Sequence, residues 1–282
     1  MDLIDLNTEN SVAVVRLNRP EKLNSLTREM ILALSDLFES FATTPSLRAV
    51  VLTGTGEKAF CVGTDISELE VSDEAKALAI SERGQGLCNL IDQCPLPVIA
   101  AINGLAVGGG CELALACHIR LATPNARFSL PETRLGIMPG YGGTQRLTRE
   151  IGSSRALEIM LGGAELSAAD AERLGLINRT VEASSLMVEA TQLANDIAKM
   201  APLAIRACLE SVRRGIELPL EEGLAVEAEL FAKLFATDDM REGTRAFLEK
   251  RAPLFQGKIS LRSQVRSASS PPRRGGADPE ED

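Results

Sequence analysis

Hydrophobic residues occur in short continuous runs in the first half of the chain, with amphipathic stretches between them. Three runs predict buried strands: Val12–Leu17, Leu47–Leu52 and Pro97–Ile102. Apolar positions repeat at helical spacing after Thr27, a typical N-cap residue, and again through Ala75–Asp92. Short extended segments are predicted at Arg120–Thr123 and Arg127–Leu130. Strands that alternate with helices up to about residue 150 predict an α/β core.

Beyond Thr144 the pattern is almost entirely helical. Ser167 can cap a helix that has Asp170 three residues later, and further helices are predicted from Ser184, Pro202 and Leu220 onward. Residues 259–282 are mostly Arg, Ser, Pro, Gly and acidic residues, which are too polar to pack. We therefore expect a core over residues 1–200, a C-terminal helical region over 201–258 and a disordered tail over 259–282.

Composition narrows the possible functions. The chain has 282 residues, a net charge of −9, no Trp and one Tyr, which disfavours nucleic acid as a partner. The acidic start predicts no signal peptide, and no apolar run is long enough to predict a membrane span. Six cysteines without disulfide or zinc spacing are typical of reduced thiols in a cytoplasmic protein. His118, the single histidine, excludes a histidine-rich metal site, and we expect no metal and no redox cofactor.

A glycine triplet, Gly108–Gly110, stands between a buried run and a helical pattern. Glycines at such a junction leave backbone N–H groups accessible, and a helix N-terminus carries unpaired donors and partial positive charge. The segment could therefore hold a developing oxyanion, with the Glu112 carboxylate beside it. A tight turn or close helix packing explains a glycine triplet equally well.

Three other segments are weak signals when each is considered alone. Gly54-Thr55-Gly56 follows a strand, but no helix opens after it, which disfavours dinucleotide binding. Ala59–Ile66 is typical of a surface turn, in which Asp65 can accept a fixing hydrogen bond. Glu132 follows a proline, where a glutamate is usually solvated, but a second glycine-rich turn comes shortly after it.

Together these segments resemble the enoyl-CoA hydratase/isomerase (crotonase) family. The similarity covers residues 3–258 and is carried by Ala59–Ile66, Asn103–Leu113, Pro131-Glu132, Pro139–Leu147, Asp239–Gly243 and Ala246–Phe255. The resemblance implies an α/β fold with a β-β-α spiral core and C-terminal helices that assemble trimers, often paired into hexamers. It also implies an acyl-CoA thioester as the substrate, so coenzyme A arrives with the substrate.

The resemblance also implies roles for individual residues. The backbone N–H groups of Thr64 and Gly109 would form an oxyanion hole for the thioester carbonyl. Glu112 would activate water, Glu132 would protonate the α-carbon, and the Gly140 N–H would help to place the water.

A second set of residues would lie against the coenzyme A moiety: Lys22, Leu23, Gly63, Asp65, Ile66 and Ser67. Two positions depart from the family pattern close to this region. Thr64 stands where Ala is more frequent, which could narrow the acyl entrance, and Ser67 replaces a frequent Lys. His118 stands where the family usually has Asp, and a structural role is expected for it.

The sequence therefore predicts an enoyl-CoA hydratase, a hydro-lyase that converts a 2-enoyl-CoA into a 3-hydroxyacyl-CoA, as in fatty acid β-oxidation. An isomerase of the same family needs only the carboxylate at Glu132, so Glu112 disfavours that alternative. A non-catalytic binding protein with this fold is the other alternative. The acyl chain, the pathway and the choice between trimer and hexamer remain open at this stage.

Overall fold

The computed structural model describes residues 2–70 and 73–260, and these described residues form two compact units that divide between residues 200 and 201. Most of the predicted tail, residues 261–282, lies outside the described residues. Within the described ranges, no helix is both long enough and apolar enough to cross a membrane.

The first unit contains a six-stranded sheet. Its strands are β1 (Ile4–Glu9), β2 (Val12–Leu17), β3 (Ala49–Gly54), β5 (Val98–Ile102), β7 (Ile119–Ala122) and β10 (Arg179–Thr180). They are ordered as just given; β1 pairs antiparallel with β2, and the other neighbours are parallel. All residues of β3 and β5 are buried, as is typical of parallel strands covered on both faces.

A second, four-stranded sheet comprises β4 (Ala59–Cys61), β6 (Leu105–Val107), β8 (Arg127–Ser129) and β9 (Leu166–Ser167) in that order. The helices of this unit are α1 (Arg28–Ala42), α2 (Glu74–Asp92), α3 (Gly109–Ala116), α4 (Gly143–Ile151), α5 (Ser153–Gly162), α6 (Ala168–Arg173) and α7 (Leu186–Ala198). Short 3₁₀ helices cover Pro20–Lys22, Ile66–Glu68 and Glu132–Leu135. From β3 onward, successive repeats place one strand in each sheet and then a helix, which is a β-β-α spiral.

The second unit consists of α8 (Pro202–Gly215), α9 (Leu220–Leu234) and α10 (Asp238–Glu249). Gly215 and Gly223 let the backbones of α8 and α9 approach closely. The buried Asp239 carboxylate accepts hydrogen bonds from the amides of Gln256 and Gly257, which pins the segment after α10. Ile259 forms an isolated antiparallel bridge with Thr237, so ordered contacts reach one residue past 258, where the sequence predicts that packing ends.

Most of the predicted elements are present. The α/β core is confirmed, Thr27 caps α1, and Ser167 caps α6 through the Asp170 amide. Local patterns predict only β8 of the second sheet, within the extended segment Arg127–Leu130, because the other strands are two or three residues long; the spiral core itself is implied by the family resemblance. In particular, β5 does not lead directly to the glycine triplet. The chain turns at Asn103-Gly104 and adds β6 to the other sheet before α3 begins.

Gly110, in the first turn of α3, packs directly on β4. A Cβ at this position would overlap the Cys61 carbonyl, and backbone cannot move aside as a flexible side chain can. The small residue therefore sets how closely α3 lies against the second sheet.

We expect Gly110→Ala to lower the free energy of unfolding by roughly 1–3 kcal/mol, the usual cost of overpacking a core. Gly86→Ala is the matched control, because Gly86 lies in α2 with nothing within 4 Å of its Cβ position. Because alanine is more favourable than glycine inside a helix, the control variant should be more stable than wild type by about 0.5–1 kcal/mol. Urea denaturation of both variants measures the difference, and equal stabilities would contradict this packing.

Candidate active site

The first unit contains a cavity of about 870 Å³ at the N-terminus of α3. Four segments line it: the loop at 62–66, the middle of α2, the β6–α3 junction and residues 131–145. Most lining side chains are apolar, among them Ile80, Val107 and Met138. Two carboxylates, Glu112 and Glu132, line this mostly apolar cavity together with a few other polar side chains, which is typical of a catalytic site.

Two backbone amides meet the cavity where the Gly63–Thr64 loop approaches α3. The Leu26 backbone donates to the Gly63 carbonyl and accepts from the Asp65 amide, so the intervening Thr64 N–H points away from Leu26. Gly109 is the first residue of α3, where an N–H has no acceptor within the helix. Thr64 and Gly109 both line the cavity, so the site brings the two predicted oxyanion donors together.

Gly63 makes this approach possible. Its φ of +87° is in the left-handed region, and a Cβ there would lie 2.8 Å from the Gly109 amide nitrogen. Gly108 also has a positive φ, of +54°, and the Glu132 carboxylate covers it at 3.1 Å from its Cβ position. Gly63 therefore allows its loop to approach the start of α3, and Gly108 leaves room for the Glu132 carboxylate beside it.

Glu112 is almost fully buried, with 2% of its surface exposed. Its Oε1 accepts hydrogen bonds from the Tyr141 amide at 2.8 Å and the Gly143 amide at 2.7 Å. The pKa of this carboxyl is raised to about 7, mainly by burial; the nearby charge of Glu132 also raises it, and the hydrogen bonds from the Gly143 and Tyr141 amides lower it. A carboxyl with this pKa can exchange a proton near neutral pH.

Glu132 is the first residue of its 3₁₀ helix and is less buried than Glu112. Burial raises its pKa as well, and its own backbone amide partly opposes the shift. Its Oε2 is buried and has no hydrogen-bond partner within the described part of the chain. An unpaired buried carboxylate oxygen favours the protonated form, which can donate a proton.

The loop at 139–142 is held from α2 and α4. The Gly140 carbonyl accepts hydrogen bonds from Ser81 Oγ at 2.6 Å and Gln85 Nε2 at 3.1 Å. Arg146 donates to the Tyr141 carbonyl at 3.3 Å. Gly140, which is predicted to place a water molecule, lines the cavity. Its carbonyl is hydrogen-bonded to side chains of α2.

The predicted coenzyme A residues separate into two groups. Gly63 and Ile66 line the cavity, and 65% of the Ile66 surface is exposed. Asp65 instead fixes the loop: it accepts from Ser67, and Arg19 pairs with it at 3.1 Å, and both hydrogen bonds lower its pKa.

Lys22 is the last residue of the first 3₁₀ helix, and Leu23 follows it. Neither residue lines the cavity, and neither do Asp65 and Ser67. Contact of these four residues with coenzyme A remains a prediction.

His118 has a structural environment. Its Nδ1 accepts from the Val98 amide at 2.9 Å, and its Nε2 lies 3.1 Å from the Asp92 carbonyl, to which the neutral Nε2–H tautomer donates. Burial lowers its pKa and keeps the ring neutral. The histidine therefore ties β5 to the end of α2.

Sequence reasoning misses the part of the site that Tyr141 forms with α2. Tyr141 is 5% exposed, and Thr64 Oγ1 donates to its hydroxyl at 2.7 Å. Burial raises the pKa of this phenol to about 12, so it stays protonated. Tyr141 stands inside a motif that the sequence does single out, but no local pattern pairs it with α2 or Thr64, which are distant in sequence.

Comparisons with known proteins show the family and the fold. The sequence profile described as "Enoyl-CoA hydratase/isomerase" matches residues 7–258. The short-chain-enoyl-CoA hydratase of Clostridium acetobutylicum is 40% identical over 246 residues, covering 87% of this chain and 94% of the relative. The (E)-benzylidenesuccinyl-CoA hydratase of Thauera aromatica is 41% identical over 254 residues, covering 90% of this chain and 99% of the relative.

Among solved structures, the enoyl-CoA hydratase of Bacillus anthracis superposes with a TM-score of 0.88 at 38% identity, covering 91% of this chain and all of that chain. The chain belongs to the enoyl-CoA hydratase/isomerase family. Its two sheets and C-terminal helices form the α/β crotonase fold, as the sequence predicts.

The charge of Glu132 contributes to the raised pKa of Glu112, which gives a direct test of their proximity. We expect Glu132→Gln to lower the pKa of Glu112, because a neutral amide no longer disfavours its ionisation. Carbon-13 NMR of glutamate-labelled protein across a pH titration measures this value. Glu39→Gln, an exposed change on α1, should leave the titration unchanged. An unchanged Glu112 titration in the Glu132 variant would show that the two groups do not interact.

Proposed function

We propose that this protein is an enoyl-CoA hydratase that adds water across the double bond of a 2-enoyl-CoA thioester. It is an enzyme of the hydro-lyase class. The observation that carries the proposal is that one cavity is lined by two carboxylates, Glu112 and Glu132, and by the two residues whose backbone amides are the candidate oxyanion donors, Thr64 and Gly109. The names of its relatives, which are hydratases of acyl-CoA thioesters, support the same reaction.

The reaction requires charge stabilisation at the thioester oxygen, removal of a proton from water and delivery of a proton to C2. Water attacks C3, a base takes its proton, and the electron pair of the double bond moves toward the thioester oxygen as an enolate. Two preorganised N–H donors stabilise that oxygen, and loss of one such donor typically costs about 2.7–4 kcal/mol of barrier. An acid then protonates C2, which gives the 3-hydroxyacyl-CoA.

The contacts of the two glutamates suggest which is base and which is acid. Two amides donate to Glu112, which stabilises its carboxylate form and leaves Oε2 available to a water molecule. Glu132 has an unpaired buried oxygen, which favours its protonated form. We therefore assign water activation to Glu112 and protonation of C2 to Glu132. The Gly140 N–H would help to hold the water.

The two alternatives are less well supported. A double-bond isomerase can operate with the carboxylate at Glu132 alone, and it would not need a second buried carboxyl with a pKa near 7. A non-catalytic binding protein would not need to keep Glu112 buried, at the energetic cost of a buried ionisable group.

Two further features of the proposal follow from the family. The coenzyme A moiety would approach along Gly63 and Ile66, with Lys22, Leu23, Asp65 and Ser67 nearby. The C-terminal helices expose large apolar side chains, among them Ile216, Leu220, Phe231, Phe247 and Leu248. Exposed apolar surface of this kind marks an interface, which supports a homotrimer or homohexamer. We also retain a cytoplasmic location as part of the proposal.

We expect Glu112→Gln and Glu132→Gln each to lower kcat for crotonyl-CoA hydration by at least about 100-fold, because general acid–base catalysis typically contributes 10²–10⁴-fold. Loss of the conjugated-enoyl absorbance measures the rate, and Glu39→Gln is the surface control. An isomerase would retain most of its activity in Glu112→Gln. A wild-type protein that hydrates neither crotonyl-CoA nor longer enoyl-CoA thioesters would disprove the assignment.

A further inference from the structure

The Tyr141 ring spans the space between α2 and α3. Its Cδ2 and Cε2 atoms face Gly109, at 3.1 Å from the position of a Cβ there. Its opposite edge faces Gly84 of α2, where a Cβ would overlap Cδ1, Cε1 and Cγ. The ring therefore occupies the space that a side chain at position 84 would otherwise fill.

The phenol hydroxyl is anchored on a third side. Thr64 Oγ1 donates to it at 2.7 Å across 77 positions of sequence, and the ring is 5% exposed. Thr64 thus makes a contact through its side chain that is separate from its backbone N–H. Three elements confine the ring: α2, the first turn of α3 and the Gly63–Thr64 loop.

The same ring forms part of the cavity wall. Tyr141, Thr64 and Gly109 all line the cavity, and the α2 side chains that line it nearby include Ala77 and Ile80. Removal of the ring would join the space in front of Gly84 to the cavity. The enlarged region would be apolar and would lie next to the two amides that face the thioester.

We propose that Tyr141, held by Thr64, is a specificity-determining residue that restricts this enzyme to short acyl groups. The inference deepens the proposed hydratase function and depends on it. The ring blocks the direction in which a longer acyl chain would extend toward α2. A hydrophobic pocket discriminates one methylene group by roughly 10–200-fold, so a whole ring is a large barrier to longer chains.

The experiment compares kcat/KM for 2-octenoyl-CoA with kcat/KM for crotonyl-CoA. We expect Tyr141→Ala to raise this ratio by about tenfold or more, since the opened space admits several methylene groups. The alanine keeps the backbone N–H that donates to Glu112, so hydration itself should persist. Tyr141→Phe is the matched control: it keeps the ring and loses only the hydroxyl, and its ratio should lie between those of wild type and Tyr141→Ala.

A second change tests whether volume is the cause. Because a side chain at position 84 projects into the ring's space, Tyr141→Ala combined with Gly84→Leu should refill it and return the ratio toward the wild-type value. A purely structural role for Tyr141 predicts no such recovery. If Tyr141→Ala does not fold, Tyr141→Leu gives the same comparison with a smaller shift.

The outcomes separate the two claims. A folded Tyr141→Ala variant that hydrates crotonyl-CoA with an unchanged ratio would overturn the specificity inference and leave the hydratase proposal intact. Wild-type protein without hydration of any enoyl-CoA would overturn the proposed function. In that case, calorimetry with butyryl-CoA and octanoyl-CoA still tests whether Tyr141 limits the length of the acyl chain. A higher affinity for octanoyl-CoA relative to butyryl-CoA in Tyr141→Ala than in wild type would support this limit, and an unchanged ratio of affinities would contradict it.

Discussion

The close approach of the Gly63–Thr64 loop to the first turn of α3 is the constraint on which the rest of the site depends. Gly63 has φ of +87°, and any side chain there would collide with the Gly109 amide. The parallel bridge between Leu26 and Thr64 then fixes which way the Thr64 N–H points. The α3 terminus is held in turn by Gly110 against the Cys61 carbonyl. Two amides are thus oriented by backbone contacts, and in the proposed reaction they would need no reorganisation when charge develops on the thioester oxygen.

The carboxylates depend on a different set of contacts. Glu112 is buried with α3, and the amides of Tyr141 and Gly143 make its ionised form accessible near neutral pH. That loop is fastened to α2 through Ser81 and the Gly140 carbonyl. Glu132 comes from the separate segment after β8 and lies over Gly108. The two carboxyls therefore reach the cavity from two segments, and burial raises the pKa of both.

The sequence predicts those parts of the molecule that local patterns encode. Buried runs and caps such as Thr27 and Ser167 locate most long elements, and the ordered motifs identify the family. Strands of two or three residues have no detectable periodicity, so local patterns miss most of the second sheet, although its strand β6 leads into the glycine triplet. Pairings distant in sequence, such as Thr64 with Tyr141 or Arg19 with Asp65, depend on the tertiary fold and leave no local signal. The role of Asp65 within its own turn, by contrast, is predicted from the sequence, and Ser67 donates to its carboxylate.

The central claim is that the Thr64 and Gly109 amides polarise a bound thioester carbonyl. Isotope-edited infrared spectroscopy tests it directly, with a carbonyl-labelled enoyl-CoA bound to Glu132→Gln, in which turnover is slow. Hydrogen bonds from two N–H groups weaken the C=O bond, so the carbonyl stretch should move to lower frequency than in free thioester. A bound thioester whose stretch matches the value in water, or is higher, would show that the amides do not hold the oxygen.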